Sequence, residues 1–409
     1  MSGWQQQLEQ ALQQRRDEGL YREHTVVQSA QGPQVRNSSG QFHNFSSNDY
    51  LGLAAHPELR DAFVRGLGQY GVGSASSHLV CGHSQAHHDL EQALATFLQR
   101  DRVLLFSSGY MANFGVLTAL LDRGDAIFED RLNHASLLDG GLASGARFQR
   151  FRHNDVEHLQ SLLEKSVQAS GEYRRRLIAV DGVFSMDGDL APLPELAMLA
   201  KRHDAMLMVD DAHGLGVLGA RGAGTLEHFG LGQNDVPLLI GTLGKAFGVA
   251  GAFVAGSETM IETLVQFARP YIYTTALPPA QAVAAQAGLE IVASQPERRT
   301  QLAQHVAYFS EQVHTRQWTQ RFGVELLSSV TAVQPLVVGS AARAVNLQQA
   351  LLQQGIMAIA IRSPTVPQGT ARLRIGFSAA HTHDQVGALV EALETVLAQE
   401  SPSVSGASR

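Results

Sequence analysis

Four short clusters in this chain carry groups that could act together: Ser108-Gly109-Tyr110, His134, Asp210-Asp211-Ala212-His213 and Thr242-Leu243-Gly244-Lys245. Each follows a stretch that reads as a β-strand, and in an open α/β sheet ligands bind off the carboxyl ends of the strands. The clusters are therefore expected to converge on one crevice. Between them they offer a primary amine, carboxylates, flat imidazoles, and hydroxyl and backbone donors at a helix start. Pyridoxal phosphate (PLP) needs such a set. The amine takes its aldehyde, a carboxylate keeps the pyridine nitrogen protonated, a flat group covers the ring and the donors hold the phosphate.

Each group also has a plainer reading. Lys245 alone would be a snorkelling surface lysine, His134 and His213 satisfied core histidines, and Asp210 and Ser108-Gly109 ordinary caps and turns. Arg362 could be a domain-interface ion pair and Arg22 a solvated helix residue. It is their combination that argues for a site. Residues 238–256 are almost wholly apolar and about as long as a membrane span. Lys245 in their middle, with Gly241, Gly244, Gly248 and Gly251, instead reads as strand, turn and strand in a soluble core.

Gly214-Leu215-Gly216-Val217-Leu218-Gly219 fits the dinucleotide fingerprint, so an NAD-dependent oxidoreductase is an alternative. It fits poorly, because Asp210, Asp211 and His213 intervene after the strand and glycine-rich residues 220–224 follow where a helix should open. Gly244-Lys245-Ala246 is not a Walker loop, since Leu239 and Ala246 occupy its glycine and hydroxyl positions. No serine sits in a GxSxG elbow. His83, His87 and His88 with Cys81 could suggest a metal, His83 and His87 being one helical turn apart. No HExxH pattern supports that reading, and a solvated helix start with no metal is expected.

The elements that must position these groups are legible from composition and period. At 409 residues and 44% hydrophobic content, the chain can fill a large core. Lys plus Arg number 31 against 38 Asp plus Glu, a net charge of −7, which argues against nucleic acid or an anionic membrane as partner. A single cysteine, Cys81, and a polar, Gln-rich start over residues 1–16 point to the cytoplasm. Apolar runs at 103–106, 126–129, 177–181, 206–210 and 238–241 alternate with helix-period segments, predicting a mostly parallel sheet covered by helices. From about residue 279 a long helical segment runs to 317. Short strands follow near 324–327, 333–338, 358–362 and 372–376, with helices at 342–354 and 384–398, a smaller α+β unit. A helix over 4–22 is expected near it. The reading divides the chain into an N-terminal helix and arm (1–45), a large PLP-binding domain (46–285), a small domain (286–400) and a disordered tail (401–409).

The segments VDDAHGLG, GTLGKAFG, NFSSNDYLGL, DGVFSMDGD and PTVPQGTARLR resemble the α-oxoamine synthase family of fold-type-I PLP enzymes, and the likeness runs over residues 4–397. The resemblance implies a fold-type-I PLP-transferase-like architecture, a small domain built from both chain ends, and a homodimer with active sites at the interface. It also implies decarboxylative condensation of L-alanine with a pimeloyl thioester, carried by CoA or an acyl carrier protein, in biotin biosynthesis. Sister activities would use glycine or serine with another acyl thioester, and a non-catalytic PLP-binding protein is a further alternative.

By the same resemblance Lys245 carries PLP as an imine and later takes the Cα proton, and Asp210 pairs with the pyridinium nitrogen. His213 bonds the ring's phenolic oxygen, His134 stacks on the ring, and Ser185 lies against it. Thr242, Gly109 and Tyr110, with Ser108, hold the phosphate, and Thr275 reaches the phosphate of the partner subunit. Arg362 takes the amino-acid carboxylate, and Asn48, Thr365, His134 and Arg22 are further substrate contacts. Gly73-Ser74-Ala75-Ser76-Ser77 departs from a more glycine-rich loop expected of the family.

Overall fold

The computed structural model describes residues 3–168 and 173–400; the tail predicted at 401–409 lies outside the described residues. A hairpin of β1 (Gln34–Asn37) and β2 (Gly40–Asn44) precedes the strands of the central sheet. These are β3 (Arg102–Phe106), β4 (Ala126–Asp130), β5 (Arg147–Phe151), β6 (Arg176–Asp181), β7 (Met206–Asp210), β8 (Leu238–Thr242) and β9 (Ala252–Gly256). They lie in the order β3-β9-β8-β7-β6-β4-β5. Pairing is parallel from β8 through β5, and antiparallel where β9 meets β3 and β8. Six strands thus share one direction and present their carboxyl ends along one edge, with β9 reversed among them.

The strands read as unbroken apolar runs because both faces of the sheet are covered. Val103, Leu105, Ile178 and Val180 pack into one buried cluster, while their neighbours Leu104, Phe106, Leu177 and Ala179 pack into the other. The second cluster is closed by helices Gly109–Leu120 and Glu258–Phe267. The first takes in helices Gln85–Leu98, Leu193–Arg202 and Pro279–Ser294 and continues into the C-terminal part. This is the expected α/β class.

Beyond it stand β10 (Glu325–Leu326), β11 (Val333–Gly339), β12 (Ile356–Met357), β13 (Ile359–Ile361) and β14 (Ala371–Gly376). Four of them form an antiparallel sheet in the order β10-β11-β14-β13, and β12 adds to the β1-β2 hairpin. Two predicted helices have other limits. The segment expected from 279 to 317 divides into Pro279–Ser294 and Glu297–Thr315, because Pro296 has no N–H to donate and disfavours helix at Gln295. The first helix is Gly3–Asp17, stops short of a left-handed Gly19, and buries no side chain. Among the described residues no helix is long and apolar enough to cross a membrane.

Candidate active site

The parallel register sets the ends of β6 and β7 level, with Asp181 opposite Asp210, and Thr242 closes β8 two residues beyond Asp210's partner Ile240. The loops that follow these ends carry the predicted residues. Lys245 sits in a turn between β8 and β9. Gly248 N–H donates to the Lys245 carbonyl (2.9 Å), Leu243 N–H to Gly251 O (2.9 Å), and the Thr242 hydroxyl to Gly251 O (3.0 Å). Gly248 has φ +72°, and a Cβ there would lie 2.6 Å from the Leu53 carbonyl carbon, so only glycine lets the turn lie against residues 53–54.

Lys245 Nζ is 2.8 Å from His213 Nε2, and His213 Nδ1 is 2.6 Å from the Tyr50 hydroxyl. The Tyr50 hydroxyl also donates to Asn48 Oδ1 (3.1 Å). Arg374 Nη2 donates to Asn48 Oδ1 (3.0 Å) and to the Tyr50 oxygen (3.3 Å), and its Nε to the Ser185 carbonyl (2.7 Å). Lys245, His213, Tyr50, Asn48, Arg374 and the Ser185 backbone therefore form one connected chain. Arg374 is 4% exposed, and its bonding partners are neutral.

A second chain starts at Asp210, itself buried. Asn113 Nδ2 donates to Asp210 Oδ2 (2.6 Å) and to Ser136 Oγ (2.9 Å), which is 2.7 Å from His134 Nδ1. The other Asp210 oxygen accepts the Ala212 N–H (3.0 Å). The His134 N–H donates to Asp181 Oδ2 (2.7 Å), fixing this residue where it caps helix Ala135–Ala143. Ser108 caps helix Gly109–Leu120, accepting the Met111 N–H (3.2 Å), and leaves the first-turn amides of Gly109 and Tyr110 facing outward.

Electrostatics joins the two chains. Burial lowers the Lys245 pKa from 10.5 to about 8, against the pull of Asp210 and Asp181 and with the push of Arg374. Burial, then Lys245 and Arg374, holds His213 well below the usual histidine range, so it is neutral. Burial likewise lowers His134, with Asp210 opposing and Lys245 assisting. Asp181 is raised, first by burial and then by Asp210. Asp210, His134, His213 and Lys245 thus lie within one electrostatic neighbourhood. The chain has three lysines, and Lys165 and Lys201 are exposed on helices; Lys245 alone is half-buried.

Other predicted residues bond to groups outside these two chains. Arg362 Nη2 donates to the Tyr21 carbonyl (3.1 Å) and its carbonyl accepts the Thr365 N–H (3.0 Å), so exposed Thr365 lies beside it and exposed Arg22 follows Tyr21. Tyr110 is exposed and its hydroxyl donates to Asp139. Thr275 is exposed and bridged to Ser77. Tyr50, Asn113, Ser136, Asp181 and Arg374 were not singled out from the sequence. Tyr50, Asp181 and Arg374 stand inside the quoted segments NFSSNDYLGL, DGVFSMDGD and PTVPQGTARLR, which is the signal that could have found them. Ala75, in the loop noted for lacking glycine, has φ +57°.

The amine, the carboxyl group of Asp210, the neutral imidazoles and the free helix start fit PLP by donor chemistry. The aminotransferase class I and II family matches residues 41–393. An 8-amino-7-oxononanoate synthase of Nitrosococcus oceani is 56% identical over 94% of this chain and 100% of its own length. The chain belongs to the α-oxoamine synthase family, with the 8-amino-7-oxononanoate synthases. Its fold is that of the fold-type-I PLP enzymes. A serine palmitoyltransferase of Sphingomonas wittichii superposes with a TM-score of 0.87 at 28% identity, covering 96% of this chain and 97% of that one. An 8-amino-7-oxononanoate synthase of Francisella tularensis superposes with a TM-score of 0.74 at 31% identity, covering 88% and 98%.

Proposed function

We propose that the protein joins L-alanine to a pimeloyl thioester with loss of CO2, giving 8-amino-7-oxononanoate for biotin biosynthesis, with PLP held by Lys245. The observation that carries the reading is Lys245: the chain's one sheltered lysine, lowered to about 8 and set against His213 within the fields of Asp210 and Asp181. When bound, PLP supplies an electron sink for the pair left on Cα.

The chain's own residues do the rest. Asp210, fixed by Asn113 and the Ala212 N–H, is placed to hold a proton on the pyridine nitrogen. His134 is held rigidly by its cap and by Asp181, as a ring-stacking residue requires. His213 would bond the ring's phenolic oxygen, and Ser185 would lie against the ring. Ser108, Gly109, Tyr110 and Thr242 would hold the phosphate, and Thr275 the phosphate in the partner subunit. Lys245 Nζ accepts the Cα proton, which its depressed pKa permits near neutral pH. A bond forms from Cα to the acyl carbon, the thiol leaves, the alanine carboxylate departs as CO2 and Cα regains a proton.

Two arginines can anchor that carboxylate. Arg374 already faces the Lys245 network without an acidic partner, whereas Arg362 bonds to the Tyr21 carbonyl, near Arg22 and Thr365. We assign the inner contact to Arg374 and Asn48, and the outer, acyl-side contacts to Arg362, Thr365 and Arg22. The reading includes a homodimer, in which exposed Thr275 would reach the partner's phosphate, and a cytoplasmic setting in keeping with one exposed cysteine. Whether CoA or a carrier protein brings the acyl group is decided by offering both. Incubation of PLP-loaded protein with alanine and pimeloyl thioester, read by mass detection, should yield the 8-amino-7-oxononanoate mass and CO2. Turnover with glycine or serine but not alanine would assign a sister activity instead, and no turnover with any of them would leave a PLP-binding protein.

A further inference from the structure

A cleft of about 640 Å3 opens on the flank of β3 and shares no residue with the site above; His78, His83, His88, Glu91, Arg102 and Tyr271 are among those lining it. Its histidines stand unequally. His87 has no free nitrogen, because its Nδ1 accepts the Ser84 N–H (3.0 Å) to close the capping box of helix Gln85–Leu98 and its Nε2 donates to Leu277 O (2.7 Å). His88 and Glu91 lie one turn apart on the same helix, so their side chains share a face. His83, just before the helix, turns its Nε2 to within 3.9 Å of Glu91 Oε2. Ligand atoms of His83, His88 and Glu91 all lie within 4.8 Å of one another.

We propose that His83, His88 and Glu91 form a binding site for a divalent first-row transition ion of the zinc class, with water completing its coordination. Two imidazoles and one carboxylate with open positions are a recurrent donor set for such an ion, and donor atoms within this span need only small side-chain movements to reach bonding distance. Glu91 can offer one carboxylate oxygen to an ion. One oxygen accepts the Leu105 N–H (3.0 Å), and the other faces the cleft. His83 turns one ring nitrogen toward Glu91 and keeps the other for a neighbour. An outer contact orients it: His83 Nδ1 is 2.9 Å from His78 Nδ1, and the His78 ring stacks on Tyr271 with centroids 5.0 Å apart. The open cleft gives the ion and its waters a way in.

The test is calorimetric titration of chelator-treated, PLP-loaded protein with Zn2+ alone. The site predicts one ion per chain, a rise in melting temperature on adding Zn2+, and affinity lowered about tenfold or more by His88→Ala and by Glu91→Gln. His88→Ala is the decisive variant, because that side chain is exposed and its bond is to Gln92, so its loss should leave the fold and alanine turnover intact. His78→Phe should weaken binding far less. Binding that survives both His88→Ala and Glu91→Gln would show zinc collecting on scattered surface histidines and overturn the proposal. Loss on His78→Phe with retention in His88→Ala would place the ion on the other side of His83 and also overturn it. So would wild-type affinity weaker than about 0.1 mM.

Discussion

The PLP-free chain should capture PLP with a pH dependence set by Lys245. Imine formation needs the neutral amine, and the Lys245 amine titrates at about 8 where an ordinary lysine titrates at 10.5. At pH 7 the neutral fraction is then ~10% rather than ~0.03%, an enrichment on the order of 300-fold. The sign follows: capture is fast above pH 8 and falls about tenfold for each unit of pH below it. The assay is stopped-flow absorbance after mixing PLP-free protein with PLP between pH 6 and 10. The profile should level off above pH 8. Arg374→Gln removes a cation that lowers the Lys245 pKa, so its midpoint should rise; Asp181→Asn removes an anion that raises it, so its midpoint should fall. A wild-type rate still climbing tenfold per pH unit between 8 and 10 would refute the electrostatic account.

Asp210→Asn keeps an acceptor for Asn113 but loses the charge that holds a proton on the ring, so PLP should still bind while turnover falls by on the order of 100-fold or more, measured as product formation. Arg374→Gln should raise the KM for alanine tenfold or more and leave the KM for the acyl thioester within about twofold, as expected of a carboxylate anchor; the reverse split would move that role to Arg362. Ala75→Gly should stabilise the protein by roughly 0.5–1 kcal/mol, since Ala75 holds a left-handed backbone; thermal melts check this, and an unchanged or lower midpoint would contradict it.

Much of this architecture is written locally. The core strands announce themselves as apolar runs because both faces are buried, and the loops after them carry the chemistry because parallel strands gather their carboxyl ends at one edge. Less legible were β5, half-exposed and interrupted by Arg147 and Arg150, and the break at Pro296, hidden in a helix-period segment. The supporting residues escaped for a different reason. Asn113 and Ser136 are ordinary helix residues until the packing of two helices brings them between Asp210 and His134, and Arg374 is one arginine among several until β14 sets it beside Tyr50. The histidine cluster shows the same limit: spacing paired His83 with His87, but the helix begins at Gln85, His87 turns inward as a cap, and the pair on one helix face is His88 with Glu91.

The central claim is that Lys245 is the residue PLP attaches to, and it can be measured directly. PLP-loaded protein is reduced with borohydride, digested and mapped by mass spectrometry; with three lysines in the chain the result is unambiguous. The account predicts the reduced adduct on the peptide containing Lys245, and none in Lys245→Ala. An adduct on Lys165 or Lys201, or undiminished trapping in Lys245→Ala, would contradict it.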